Sequence, residues 1–210
     1  MSRMHAMIPL ALLEALQGAD VLPDGNDADG PFAELAATRF GGSATVAAQI
    51  QRYADLAGRD ADVDAEEVIG LLRLVARRPD ADLVLADAGR RAGRRAARCA
   101  SRTARLLMSV SPSGWRRRIA RRVVRHLGDR LLDLHLEWPD TIRWRDRAGI
   151  GRGDLAGVTC RMVGAAAAEL VRAFVPFEGA LFHVRCGRDG DEQRCAWSTE
   201  RPPASTGVEP

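Results

Sequence analysis

Three of the four cysteines, Cys160, Cys186 and Cys195, fall within residues 160–197, and His183 stands three positions before Cys186. Three thiolates and one imidazole form a standard ligand set for structural zinc, which takes four such groups in a tetrahedron. GALFHVRC and RCAWS are apolar-rich and read as two short strands, while the polar, Gly-containing GRDGDEQ between them reads as a hairpin loop. The hairpin would bring Cys186 and Cys195 together. On a straight strand His183 and Cys186 point to opposite faces, so both reach one ion only if the strand ends or bends near Cys186. The same residues admit another reading, a Cys186–Cys195 disulfide across the hairpin with Cys160 an ordinary buried thiol. No compact C-x-x-C pair decides between them. Cys99 lies well before this stretch and is expected not to bind the metal.

The elements that must position these groups are legible to different degrees. Cys160 belongs to a helix predicted from about Leu155 to Phe174, after a backbone loosened by Gly149, Gly151 and Gly153. Leu132, Leu134, Leu136 and Trp138 alternate with Asp133, His135 and Glu137, the pattern of a half-buried strand. Pro139-Asp140 turns the chain, and TIRWR is its expected partner. Further back, Asp64 caps a helix with Glu67 at its third position and Val63 and Val68 stapling the entry. Val68, Leu71, Leu72 and Val75 form its apolar face, and Pro79 ends it. The next helix starts near Asp80 or Asp82 and carries Gly89, Gly93 and Ala97, a stripe that predicts close backbone packing against a neighbour. Residues 8–17, IPLALLEALQ, read as a short amphipathic helix stopping before Gly18, and residues 21–31 as a loop. A helical run is expected from about Phe32 to Ala57, bent at Gly41-Gly42, with Ser43 able to cap its second piece.

At 210 residues, with 46% hydrophobic and 28% charged residues, the chain is long enough for one domain with a substantial core, or one domain plus a small appendage. Every one of the 31 basic residues is Arg, which reflects a GC-rich genome more simply than a function. Four unevenly spread cysteines make no disulfide framework, so a reducing cytoplasm is the expected location. MIPLALLEAL is interrupted by Glu14 and lacks a cleavage site of a secretory leader. No apolar run approaches the ~20 residues of a membrane span. From Gly89 to Arg130 there are 14 Arg and one acidic residue, Asp129. In the predicted helix 115–127, Trp115, Ile119, Val123 and Leu127 share one side and six arginines surround the rest. Such a helix suits a solvated surface, or peripheral contact with anionic lipid at the inner membrane, or acidic groups such as propionates. Nucleic acid is disfavoured, because stacking aromatics are sparse.

A Cys heading a small-residue helix, then a strand ending in ligand-x-x-Cys, then a Gly/Asp turn and a final Cys followed by an aromatic resembles the C-terminal half of the 4-vinyl reductase domain family. In the aromatic-sensing regulators of that family four residues at this spacing hold zinc, usually with Glu where this chain has His183. The segment from Asp64 to Leu107 and the opening IPLALLEAL are similar to the bacteriochlorophyll 4-vinyl reductase subgroup. With the cysteine stretch, the resemblance covers about residues 63–199. One departure stands out: where the subgroup follows a mid-chain His with an aromatic, glycine-rich segment, His126 here is followed by LGDRLLDLHLEW.

The resemblance implies an α+β fold, with helices packed on an antiparallel sheet, a last hairpin pinned by structural zinc on Cys160, His183, Cys186 and Cys195, and a ligand cavity between helices and sheet. It divides the chain into an N-terminal helix and acidic loop (1–30), the domain proper (31–200) and a polar tail (201–210). The implied ligand is a magnesium tetrapyrrole of the divinyl protochlorophyllide type, whose 4-vinyl (C8-vinyl) group the protein reduces or helps to reduce. His126 or His135 would give magnesium an axial nitrogen. No G-x-G-x-x-G follows a strand, and Gly149-Ile150-Gly151-Arg152-Gly153 lacks that spacing, so whether the chain is an enzyme is left open. The alternative is a non-enzymatic sensor or interaction domain of the same fold, binding another apolar ligand or a partner, with a homodimer among its possible forms.

Overall fold

In the computed structural model, which describes residues 2–21, 44–132, 134–135, 141–146, 150–151, 155–174, 181–189 and 192–198, the chain is α+β, mostly helical with two small antiparallel sheets. Strand β1 (Arg3–His5) pairs with β2 (Asp62–Asp64) and frames the first helices. Neither strand is visible in the sequence, because three residues are too few to show a period. Helices α1 (Met7–Val21), α2 (Ala44–Gly58), α3 (Ala65–Ala76) and α4 (Ala81–Arg98) form the helical half.

Helix α1 departs from the expected amphipathic 8–17 segment. It continues through Gly18, and Met7, Ile8, Leu10, Ala11, Leu12, Leu13 and Ala15 are all buried. The reason is its surroundings: α2, α3 and α4 all pack against it, so there is no wide solvent face to keep polar. Glu14, which interrupts its apolar run, is answered from α4 by Arg95, whose Nη2 donates to Oε1 at 2.5 Å. The expected helical run from Phe32 to Ala57 survives as α2 over residues 44–58. Its first piece, Ser43 and the 21–31 loop beyond Val21 lie outside the described residues.

Helix α3 begins as its sequence dictates. The Asp64 carboxylate accepts from the Glu66 amide at 3.0 Å, and the staple residues Val63 and Val68 are both buried. Glu67 serves a different purpose: its carboxylate takes the Tyr53 hydroxyl at 2.9 Å and Arg52 at 3.1 Å, tying α3 to α2. Burial and that carboxylate push the Tyr53 phenol up to about 12.

The Gly89/Gly93 stripe of α4 packs where its composition predicts, against helix α7 (Ala156–Arg172). A Cβ on Gly89 would collide with the Met162 carbonyl, and one on Gly93 with the Ala166 carbonyl. Two small residues one turn apart on α4 thus face two carbonyls one turn apart on α7, and the helix backbones come as close as glycine permits.

The basic segment runs from the second half of α4 through helices α5 (Arg102–Val110) and α6 (Ser113–Leu131). The apolar side of α6 is rotated from the expected Trp115/Ile119/Val123/Leu127 stripe. Ala120, Val124, Leu127, Gly128 and Leu131 are buried, whereas Trp115 is 68% exposed. The inward face is set by α4 and α7, and small Ala120 and Gly128 fit there better than an indole. Helix α6 also runs four residues past its expected end, so Leu132 is its cap rather than the first residue of a strand.

The second sheet has the order β3-β4-β6-β5, from β3 (Leu134–His135), β4 (Thr141–Arg145), β5 (Phe182–Asp189) and β6 (Glu192–Ser198). TIRWR is the predicted partner, β4, but β3 is two residues long, and residues 136–140 lie outside the described set. The terminal hairpin is longer than expected, because residues of the presumed GRDGDEQ loop pair as Gly187↔Arg194, Arg188↔Gln193 and Asp189↔Glu192. After β4 the buried Asp146 carboxylate accepts from the amides of Ile150 at 2.9 Å and Gly151 at 2.7 Å, fixing the turn that leads towards α7. No helix among the described residues is long and apolar enough to cross a membrane.

Candidate metal centre

Helix α7 and the last hairpin present matching faces to each other. On α7, Cys160 and Gly164 are one turn apart and look the same way. On β6, Cys195 and Trp197 alternate onto the inner face, and both are buried. Cys186 pairs with Cys195 across the β5–β6 ladder, and His183 pairs with Trp197. Without a defect His183 and Cys186 would fall on opposite faces. The register shifts between His183 and Arg185, leaving Val184 as the extra residue of a bulge. That single residue restores the parity, and all four groups meet on one side of the sheet.

The ligand atoms of Cys160, His183, Cys186 and Cys195 lie within 4.8 Å of one another, so the cluster could hold a metal ion. The Cys160 and Cys195 sulfurs are 2.7 Å apart, Cys186 and Cys195 3.1 Å, and Cys160 and Cys186 3.6 Å. All three separations exceed the ~2.04 Å of a disulfide bond, and none of these cysteines is in a disulfide. A tetrahedron with metal–sulfur bonds of about 2.3 Å has sulfurs about 3.8 Å apart, so a bound ion would spread the Cys160–Cys195 pair by about 1 Å. The donor set fits a thiophilic ion of borderline softness. A hairpin disulfide would use two of these sulfurs and leave the third against them without a role.

Trp197 shapes the site from the side. Its ring lies 5.3 Å from that of His183 at 31°, and a Cβ on Gly164 would stand 2.6 Å from its Nε1. Glycine at 164 therefore makes room for the indole against which His183 is set. Burial lowers the His183 pKa, opposed by a backbone hydrogen bond at Arg185, which favours the neutral imidazole that metal ligation requires.

Beside the cluster an open cleft of about 400 Å³ runs between α7 and the hairpin. Gly164, Ala168, Leu181 and Trp197 give it apolar walls, Cys160 and His183 also line it, and Arg90, Arg161 and Arg172 line it with positive charge. Of the two histidines expected near a ligand, His126 is exposed on α6 and does not line this cleft. His135 lies in β3 opposite Arg143, and its side chain is outside the described residues. Cys99 caps α4, exposed and apart from the cluster. Gly164 and Asp146 escaped the sequence reading. The i+4 spacing from Cys160 carried a signal for Gly164, whereas nothing local marks Asp146.

No protein-family model, characterised protein or solved structure matches the chain.

Proposed function

We propose that the chain is a zinc-pinned, small-molecule-binding domain of the 4-vinyl reductase kind. Its ligand in this reading is a magnesium tetrapyrrole intermediate of the divinyl protochlorophyllide type, held for reduction of its 4-vinyl (C8-vinyl) group or delivered to the enzyme that reduces it. The observation that carries the reading is the meeting of Cys160, His183, Cys186 and Cys195 from one helix and one hairpin. Four protein ligands leave no open position, which is the arrangement of a structural rather than a catalytic zinc. The cleft beside the site supports ligand binding, since apolar walls suit a macrocycle and Arg90, Arg161 and Arg172 suit its carboxylates. Reducing equivalents would come from elsewhere, because the sequence has no nicotinamide or flavin motif.

One observation favours the second reading, a non-enzymatic sensor or interaction domain. The cleft volume sits at the lower end of the roughly 300–1,000 Å³ typical of ligand sites, which suits a smaller apolar molecule. An absorption titration of the purified protein with divinyl protochlorophyllide, repeated with NADPH and anaerobically with a low-potential reductant, separates the two. A saturable spectral shift is expected, and conversion of the vinyl group under reductant would make the protein an enzyme. No shift at micromolar protein removes the tetrapyrrole reading.

A further inference from the structure

Helix α5 is the one helix from α3 to α6 that buries none of its residues. Its half-buried positions, Ala104 and Met108, are one turn apart, as a helix resting on a neighbour requires, and that neighbour is α6. The side turned away carries Leu106, Leu107 and Val110, which are 65%, 48% and 71% exposed, and Trp115 follows at the start of α6. Single exposed apolar residues are ordinary, but four between residues 106 and 115 concentrate apolar surface in one stretch of chain.

The charge along this stretch of chain has one sign. Between Cys99 and Gly128 there are eight arginines and no Asp or Glu. Arg105 donates to the Arg98 carbonyl at 2.6 Å, and Arg116 to that of Ser111 at 3.3 Å, bonds that hold the side chains without neutralising them. Exposed leucine and valine in a stretch whose charged side chains are all arginine, with a tryptophan following, match the two layers of an anionic lipid surface, headgroups outside and acyl chains within. A phosphate polymer would be met by the arginines alone and would leave the leucines in water.

We propose that the α5–α6 hairpin, through Leu106, Leu107, Val110 and Trp115 and the arginines around them, docks the protein on the surface of an anionic lipid bilayer. This does not depend on the metal or on the identity of the ligand. It also moves the membrane contact from the 115–127 face, of which Leu127 is buried and Ile119 and Val123 are partly buried, to α5 and the first turn of α6, keeping only the exposed Trp115.

The test is cosedimentation of the full chain with vesicles of phosphatidylcholine containing phosphatidylglycerol, against phosphatidylcholine alone, at low and high salt. Binding to the anionic vesicles about tenfold tighter than to neutral ones is expected, weakened by salt. L106D/V110D, at positions that contribute nothing to the core, should fold normally and lose about tenfold in binding. A blue shift of tryptophan emission on vesicles, absent in W115F, places Trp115 in the interface, because Trp144 and Trp197 are already buried and W115F retains Trp138, so any shift of the latter would persist in the variant. The proposal is overturned if anionic vesicles do not bind, if L106D/V110D binds them as well as the native chain, or if duplex DNA binds while vesicles do not. It is equally overturned if the free protein is a dimer that L106D/V110D dissociates, since a second copy then covers the face.

Discussion

At the residue scale, the chemistry rests on how few atoms each site needs and how completely their neighbours fix them. Cys186 and Cys195 sit in a ladder pair, so replacing either with Ser should abolish a site that requires four ligands. About one zinc per chain is expected, absent in Cys186→Ser and Cys195→Ser and retained in full by Cys99→Ser, as read by metal analysis. Structural zinc contributes about 10–16 kcal/mol in small zinc domains. A loss of even about 3 kcal/mol would lower Tm by about 6–12 °C in a chain of this size. A metal-free native protein of unchanged stability would remove the site.

His5 offers a second residue-scale test, outside the candidate metal centre. Its Nδ1 accepts from the Met7 amide at 3.2 Å, so the proton is on Nε2, which donates to Asp60 at 3.1 Å. Burial lowers its pKa, Asp62 opposes that and Arg130, itself paired with Asp60, reinforces it. The unfolded chain therefore binds a proton more readily than the folded one. Stability should be fully present above the ordinary histidine value of about 6.5 and should fall as pH drops below it. Denaturant titrations from pH 8 to pH 5 should show this slope reduced in His5→Gln, whereas an unchanged slope would assign it to other groups. Asp60 itself is held at φ 58°, a left-handed conformation tolerated at the turn that ends α2.

At the element scale, the contact of α4 with α7 explains why Cys160 stands where it does. Glycine inside a helix ordinarily costs about 0.5–1 kcal/mol against alanine, so Gly70→Ala, in α3 with open space around it, should stabilise by about that amount. Gly89→Ala should do the reverse, by about 1–3 kcal/mol, because its methyl meets the Met162 backbone and α7 must move. Thermal melts of the two variants check the opposite signs. Gly164→Ala acts on the same helix from its other side. By displacing Trp197 it should disturb His183, and weaker zinc retention against a chelator is the expected outcome.

At the scale of the whole molecule, the helices meet the sheet where α6 packs on β3 and where α7 packs on β6, and the candidate metal centre lies at the second of these contacts. Leu12, Val68, Leu72 and Leu85 are buried among α1, α3 and α4 with no part in the cluster. Chelation should therefore raise hydrogen exchange first in β5 and β6, while α1 and α4 keep their protection. Equal loss of protection throughout would show a single cooperative unit instead.

Features that depend on neighbours along the chain can be read from the residues alone. The Asp64 cap, the close packing of the Gly89/Gly93 stripe, the TIRWR strand and the four candidate ligands were all legible, because caps, small-residue spacing, alternation and side-chain chemistry are local. Only the tertiary structure decided the rest. The rotation of α6 followed from which face α4 and α7 left for it, and the burial of α1 from the three helices around it. The bulge at Val184 is a matter of pairing between strands, so no property of Val184 announces it. Yet that one unpaired residue turns His183 and Cys186 to the same side and makes a cluster out of four separate side chains.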